Sequence, residues 1–323
     1  MKKYVLVLLL FWVQLSQAAV NVSIGAGITD ENVKSKMEHT MSSFLSEVNA
    51  AQECNRAINF TGMGISQDVQ GSISMLWENC PFNCTDEEIV ENCIQTGTGY
   101  QIRNIPLMMC PTDDNFDEED YQEAVFTFNR KGNLVSFYIA IAKNQYLKIL
   151  KSNQDVTDLR RRQLILDFVE RFRTAYNQRD IQFLNQIFSD DALIITGKVV
   201  KQQTRDGIKL PDKVEFFKRS KHEYIANLKA QFNKVKYIRV TFDDVKVSAS
   251  PESGIYGVTV KQGYTSGSAK GSYHDDGIVF MVWNFKNEDN PEIFVRTWQP
   301  LEVDGKTIAG GGEVFSLSDF DFD

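Results

Sequence analysis

Apolar residues recur at helical spacing in the first part of the chain. In the segment ENVKSKMEHTMSSFLSEVNAAQECNRAINF they are separated by steps of three and four residues, which places them on one face of a helix. These positions are Val33, Met37, Met41, Phe44, Leu45 and Val48. A second, shorter helix is predicted through SISMLWENC, with Ser66 as a favourable start. A third is predicted after Thr85, because this residue can cap a helix with an acidic first turn. The segment AVFTFNRKGNLVSFYIAIA is typical of a strand, a turn and a second strand.

The helical spacing returns near Thr157. A long helix is predicted there from the apolar positions Ile165, Phe168, Val169, Phe172 and Tyr176. Asp180 can cap a shorter helix, and Asp212 starts another in a capping-box arrangement with Glu215. The period then changes to two, which predicts strands in VKYIRVTFDDVKVSA, GIYGVTVKQGYTS, GIVFMVWNF and EIFVRTWQP.

This order of elements predicts an α+β protein of two domains. The C-terminal domain is expected to be a bent antiparallel sheet wrapped around three helices, a cystatin-like half-barrel or cone. We expect an N-terminal α+β domain at 20–150 and the cone domain at 157–300. A flexible tail is expected at 301–323, with a joint at glycines 310–312. The tail either adds a strand to a partner's sheet edge or packs on its own domain; its apolar residues are Phe315, Leu317, Phe320 and Phe322.

Residues 1–18 have the organisation of a secretory signal peptide. Lys2 and Lys3 precede an apolar run from Tyr4 to Val13, and cleavage is expected after Ala18. The run is too short for the roughly 30 Å hydrocarbon core of a bilayer, which disfavours an uncleaved anchor. The protein is therefore expected to be exported, periplasmic or extracellular, with no integral membrane segment after cleavage.

The charge of the chain argues against a nucleic-acid partner. The sequence has 35 lysines and arginines against 43 aspartates and glutamates, a formal net charge of −8. Phosphate contacts need a basic surface, and the one basic cluster, at 160–162, is typical of a solvated helix turn. The acidic stretch PTDDNFDEEDYQE lacks the spacing of a calcium loop and is interpreted as a solvated loop.

The five cysteines leave their redox state open. Cys54, Cys80, Cys84, Cys93 and Cys110 all lie in the first half of the chain. An oxidising compartment favours disulfides, but the odd count leaves at least one thiol free. A zinc site would need two ligands beyond the closest pair, and no histidine is near. We expect structural cysteines, no metal and no cofactor.

One part of the chain resembles a known fold. The segment FRTAYNQRDIQFLNQIFSDDALIITG, the following helix and the strands ending VRTWQP are similar to nuclear transport factor two-like proteins. This cone-shaped superfamily includes transport adaptors, dehydratases, isomerases and many modules without catalysis. The resemblance covers residues 157–300 and implies a fold rather than an activity. The whole chain also resembles exported bacterial proteins with a companion N-terminal α+β domain.

Several residues are candidates for a site. His274 beside Asp275 and Asp276 could move a proton at neutral pH, with Tyr264 nearby on the preceding strand, although the same residues are typical of a polar bend. The candidate ligand-binding residues are Tyr176, Trp283 and Trp298. The pair Asp190–Asp191 is interpreted as a turn, since neighbouring side chains in an extended segment point apart. The segment QDVQG matches the inhibitory loop of cystatins, but it lacks the second hairpin of that family.

We therefore expect an exported binding or scaffold protein without catalysis. Its partner is expected to be an unknown protein or a small molecule held by the cone domain, and a homodimer is compatible with this prediction. The alternative is a small-molecule enzyme of the dehydratase or isomerase type, in which His274 acts with a nearby carboxylate. Protease inhibition through QDVQG is a third hypothesis.

Overall fold

The computed structural model describes most of the chain. The described residues are 19–110, 121–140, 159–203, 209–250, 254–268, 271–288, 290–303, 306–307 and 314–320. The predicted signal peptide, most of the acidic stretch, glycines 310–312 and Phe322 lie outside these residues.

Among the described residues, the first half combines two helices with a five-stranded antiparallel sheet. The helices are α1 (Glu31–Glu53) and α2 (Gln67–Asn79). The strands are β1 (Asn21–Ile24), β2 (Phe82–Asn83), β3 (Glu88–Glu91), β4 (Cys93–Gln95), β5 (Gly99–Met109), β6 (Tyr121–Asn129) and β7 (Leu134–Ile139). β2, β5, β6 and β7 are neighbours in this order, and β4 also pairs with β5. β1 and β3 form a separate parallel pair.

The core of the first half lies between α1, α2 and this sheet. Asp30 caps α1, and five of the six predicted apolar positions of the helix are fully buried. Phe44 sits at the centre, with its ring against those of Phe126 and Phe137. The helical face predicted for α1, the helix α2 after Ser66 and the β6–β7 hairpin are confirmed.

The helix predicted after Thr85 is wrong. This segment forms β3 and β4, and Ile89 is buried opposite Val22 of β1. Its burial alternates along the strand, whereas the acidic residues that suggested a first helical turn are exposed. The short apolar run fits both periods, and the pairing with β1 decides between them.

The second half is a six-stranded sheet with three helices on one face. The helices are α3 (Leu159–Gln178), α4 (Ile181–Ile187) and α5 (Lys221–Phe232). The strands are β8 (Phe188–Gln203), β9 (Lys209–Arg219), β10 (Tyr237–Ala249), β11 (Ile255–Ser268), β12 (Gly271–Asn284) and β13 (Glu292–Pro300). Their order is β10-β11-β12-β13-β8-β9, and the sheet is curled into a half-barrel. A small hairpin, β14 (Glu302–Val303) and β15 (Lys306–Thr307), follows.

Two details of this sheet correct the predictions. The sheet is not wholly antiparallel, because β13 and β8 are parallel neighbours. The helix predicted from Asp212 is also wrong, since residues 209–219 form β9, which pairs with β8. The helix begins only after Ser220, whose side chain forms a capping box with Glu223. The short helix capped by Asp180 is confirmed as α4.

Helix α3 connects the two halves and is buried on both faces. Its apolar face carries Ile165, Phe172 and Tyr176 into the core of the second half. Its polar face packs on the first half, where Glu170 accepts two hydrogen bonds from Arg103 at 2.6 and 3.0 Å. On the same face, the backbone N–H of Ile139 donates to Thr174 Oγ1 at 3.2 Å.

Asn79 forms a second polar connection between the halves. Its amide donates to the Ile238 carbonyl at 2.6 Å and accepts from the Ile238 N–H at 3.0 Å. Arg179 Nε donates to the same amide oxygen at 2.9 Å. These bonds satisfy buried backbone groups of β10, which would otherwise be costly to leave unpaired. The division into two domains stays a prediction, because α3 is packed into both halves.

The described part of the tail packs on the sheet. Phe315, Leu317 and Phe320 cover an apolar patch formed by Ile255, Phe280, Val282 and Val295. The ring of Phe320 stacks on that of Phe280 with the centroids 6.0 Å apart. Two arrangements were predicted for the tail. Residues 314–320 adopt the second of them, because they pack on their own half of the chain.

Cys54, Cys84 and Cys93 are free thiols in the structure. Cys84 and Cys93 are buried, and burial raises the pKa of both thiols. A thiol with a raised pKa stays protonated at neutral pH and is a poor nucleophile. Within the described ranges no helix is both long and apolar enough to cross a membrane.

Candidate ligand-binding site on the inner face of the curled sheet

The six-stranded sheet has an inner face, covered by α3, α4 and α5, and an outer face, partly covered by the tail. On β12, Val279, Met281 and Trp283 belong to the inner core, while Phe280 and Val282 belong to the outer patch. Successive side chains of a strand point to opposite faces. The register between β11 and β12 is regular from Ile255–Asn284 to Ser268–Gly271. The alternation between inner and outer face therefore extends along the whole of both strands.

Large aromatic side chains fill one end of the inner face. Trp283 is fully buried against Phe168 and Phe285, with ring centroids 6.3 and 5.7 Å away. Phe172 packs beside it at 6.1 Å. Trp283 was predicted to line a ligand cavity, and the structure places it in the packed core.

A polar cluster occupies the middle of the inner face. Arg296 of β13 exposes 4% of its surface and lies over the ring of Tyr224 at 5.4 Å. Its Nη2 is 3.4 Å from Gln262 Oε1, and it also interacts with the Tyr176 hydroxyl. The hydroxyl groups of Tyr176 and Tyr224 are 2.5 Å apart. Burial and the neighbouring Tyr224 hold the pKa of Tyr176 well above its ordinary value, so this phenol is neutral.

No carboxylate of the described residues lies within 4.0 Å of Arg296. Its Nε is buried and has no hydrogen-bond partner there. The cluster of Arg296, Tyr176, Tyr224 and Gln262, called the arginine cluster below, therefore carries an uncompensated positive charge away from water. Such a charge is costly unless an anion or further acceptors join it.

Tyr264, Tyr273 and Asp275 form the mouth of the inner face. Tyr264 and Asp275 are direct cross-strand partners, and Tyr273 donates to Asp275 Oδ2 at 2.7 Å. Gln231 of α5 donates to the Tyr264 hydroxyl at 2.8 Å. Burial is the main cause that raises the pKa of Asp275, and burial together with the bond to Asp275 raises the pKa of Tyr273 to about 12.

The three predicted catalytic residues do not converge. His274 lies on the outer face, where its Nδ1 is 3.0 Å from Thr265 Oγ1 and its Nε2 is 3.4 Å from Asp276 Oδ2. Asp275 and Tyr264 lie on the inner face. Residues 274–276 are part of the continuous strand β12 rather than a polar bend, and this alternation separates neighbours in sequence.

The remaining ligand-binding candidates are on the inner face. Tyr176 belongs to the arginine cluster. Trp298 is half-buried beside the inner core, and its indole lies against Gly277, where a Cβ atom would meet Nε1 at 2.4 Å. Gly277 thus leaves room for the Trp298 side chain between the arginine cluster and the mouth.

The two adjacent aspartates are a structural feature. Asp190 and Asp191 are exposed residues near the start of β8, rather than in a turn, and Asp190 pairs with Lys221 at 2.8 Å. The hydrogen bond from Lys221 lowers the pKa of Asp190. The register to β13 shifts between Phe188 and Leu193, so this segment bulges away from regular pairing. Likewise, QDVQG is the first turn of α2 and not a hairpin loop.

Arg296, Tyr224 and Gln262 were not predicted from the sequence. The available signal was a charged residue in the middle of the strand EIFVRTWQP, at a position that pairs with the buried Met281. Within the described residues, no three His, Cys, Asp or Glu side chains are close enough to hold a metal ion.

Part of the chain is similar to proteins of known structure. No family model and no curated protein matches the sequence. A search of solved structures matches an NTF2-like protein from Cytophaga hutchinsonii (18% identity, 43% of this chain and 97% of that chain, TM-score 0.32). It also matches an NTF2-like protein of unknown function in nutrient uptake from Rhodospirillum rubrum (14% identity, 43% and 98%, TM-score 0.33).

The chain is similar to NTF2-like proteins over about 45% of its length. The resemblance to nuclear transport factor two-like proteins that the sequence indicated is confirmed for that part. At these TM-scores the likeness supports no inference about activity, ligand or partner. Those must come from the chain's own residues.

Proposed function

We propose that the protein is a binding protein without catalysis, which holds a small organic anion on the inner face of the curled sheet. The observation that supports this is the buried guanidinium of Arg296, with an unpartnered Nε and no carboxylate of the described residues nearby. Its neighbours are two phenols and an amide, which are neutral groups.

An anionic ligand would complete the arginine cluster. A guanidinium binds a carboxylate through two parallel hydrogen bonds, which are stronger than bonds between neutral groups. The contact from Arg296 to Gln262 is 3.4 Å long, at the limit of hydrogen-bond geometry, so a carboxylate can replace it at little cost. The half-buried Tyr264 and Trp298 mark the side from which the ligand would enter.

The first test removes the charge of Arg296. Isothermal titration calorimetry at pH 7 with acetate, succinate and benzoate is expected to show saturable binding of at least one carboxylate. Arg296→Met should weaken that affinity at least ~10-fold, because a buried charged hydrogen-bond partner is lost. Lys261→Met is the matched control, since Lys261 is exposed on the opposite face of β11 next to Gln262. This variant should bind the carboxylate with unchanged affinity. The proposal is contradicted if Arg296→Met binds as tightly as the unmodified protein, or if none of the three carboxylates binds.

A second candidate function is acid–base catalysis of the dehydratase or isomerase type. It is favoured by Asp275, a half-buried carboxyl on the inner face whose pKa burial raises. Asp275 accepts a hydrogen bond from the Tyr273 hydroxyl and has Tyr264 as its cross-strand partner. His274 has no part in this version, because it faces the other side of the sheet. A carboxylate with a raised pKa is a better base than an exposed one.

The pKa of Asp275 tests this second candidate. Carbon-detected NMR titration should place it above the ordinary aspartate value, and Tyr273→Phe should raise it further by removing a bond to the carboxylate. Activity on a screened substrate would rise with pH as Asp275 ionises. It would be lost in Asp275→Asn and kept in His274→Ala. An ordinary or lowered pKa for Asp275, or loss of turnover in His274→Ala, would rule out this mechanism.

A further inference from the structure

A second cleft lies between the two halves of the chain, away from the inner face of the curled sheet. One wall is formed by the first turns of α2 and by β7, and the other by the C-terminal half of α3 and by α4. Its volume is about 180 Å³, which at ~30 Å³ for each water molecule is room for roughly six waters. We call it the junction cleft.

The lining of the junction cleft is rich in polar groups of both kinds. Carboxylates come from Asp68 and Asp180, and a guanidinium from Arg171. Hydroxyl groups come from Ser72 and Ser136 on the first half. Donors and acceptors are therefore mixed, and one positive charge stands against two negative ones. This composition disfavours an anion and favours a neutral ligand with several hydrogen-bonding groups.

Gln178 is the residue that points most directly to a missing ligand. It lines the cleft and exposes only 6% of its surface. Its Nε2 is buried and has no hydrogen-bond partner among the described residues. An unsatisfied buried amide costs about 1–3 kcal/mol, and native proteins rarely keep one without a reason. A ligand hydroxyl oxygen would accept from this group.

Arg171 is held in place for such a ligand. Its guanidinium lies over the rings of Phe168 and Phe183, at 5.1 and 5.5 Å from their centroids. Two such contacts restrict a side chain that is otherwise free to move. The carboxylate of Asp180 is also fixed, because it accepts from the Phe183 N–H at 2.9 Å as the cap of α4. These polar groups of the cleft are thus positioned before any ligand arrives.

We propose that the junction cleft is a binding site for a neutral polyhydroxylated molecule of monosaccharide size. A single sugar ring with its hydroxyl groups is of about the size of this cleft, and those hydroxyls both donate and accept. The hydroxyls would accept from Gln178 and Arg171 and donate to Asp68 and Asp180. This site is independent of the anion site proposed on the inner face.

The test uses the full mature chain with glucose, galactose, mannose and ribose as probes. Saturation-transfer NMR and calorimetry are expected to show saturable binding of at least one of these sugars. Gln178→Leu should weaken that affinity at least tenfold, because it removes the buried donor and keeps the side-chain size. Gln163→Leu is the matched control on the same helix, outside the cleft, and should bind as the unmodified protein does.

Two more variants separate the possible outcomes. Ser136→Val fills part of the cleft with a good strand-forming residue and should also weaken binding, which keeps the test valid if Gln178→Leu fails to fold. Arg296→Met should leave sugar binding unchanged, so failure of the anion proposal and failure of this one are distinguishable. The inference is overturned if none of the four sugars binds saturably, or if Gln178→Leu and Ser136→Val bind as tightly as Gln163→Leu.

Discussion

Arg103→Met is expected to lower the free energy of unfolding by about 3–5 kcal/mol. Arg103 exposes 6% of its side chain and Glu170 exposes none, and the two form a bidentate pair at 2.6 and 3.0 Å. Removing the guanidinium takes two charge-assisted hydrogen bonds and one positive charge from the Glu170 carboxylate, which stays buried between the halves. The measurement is urea unfolding followed by circular dichroism and tryptophan fluorescence.

Two controls define the origin of this effect. The double variant Arg103→Met with Glu170→Leu should recover most of the loss, because replacing both members of a buried ion pair with apolar groups is often neutral. Lys221→Met should have no measurable effect, since its partner Asp190 is 97% exposed. If Arg103→Met unfolds like the unmodified protein, the pair does not hold the two halves together.

Phe172→Ala should cost about 3–5 kcal/mol, because it leaves a large cavity in a packed core. Phe172 is fully buried on the opposite face of α3 from Glu170. Its ring lies 5.1 to 6.3 Å from those of Tyr176, Phe188, Phe242 and Trp283. Alanine keeps the helix intact, so the loss reports packing and not helix propensity. The same unfolding experiment measures it.

Phe217→Ala is the matched control for this substitution. Phe217 is 43% exposed on β9, so its loss removes little buried area and should cost less than about 1 kcal/mol. A similar cost for both phenylalanines would mean that α3 is not packed against the curled sheet as described. Because α3 packs on both halves, through its apolar face on one and its polar face on the other, Arg103→Met and Phe172→Ala should each destabilise the two halves together.

Long elements with one clear period were predictable from the sequence. α1 and α3 have apolar residues at helical spacing over several turns, and the four strands from residue 237 onwards alternate clearly. Short segments were not predictable in this way. Residues 212–219 and 85–94 have too few apolar positions to distinguish a helix from a strand, and both became strands because a partner strand lay beside them.

The candidate site was predicted less well than the fold. His274 and Asp275 are neighbours in sequence, which suggested a catalytic pair. Once they belong to a strand, however, they must face opposite sides of the sheet. The arginine cluster joins residues from α3, α5, β11 and β13, so no local sequence pattern predicts it. Arg296 lies over Tyr224 because α5 packs on the inner face of the sheet.

The sequence by itself determined the helices and strands whose period is long and regular, the acidic character of the chain and its resemblance to a cone-shaped fold. These properties depend on residues close together along the chain, or on composition alone. The tertiary structure decided the pairing of Arg103 with Glu170, which are 67 residues apart, and the meeting of Tyr176 with Tyr224, which are 48 apart. It also decided that Gln178 lies buried in a cleft between the halves. Burial and partners depend on which surfaces meet when the chain is folded, and the spacing of residues along the sequence does not contain that information.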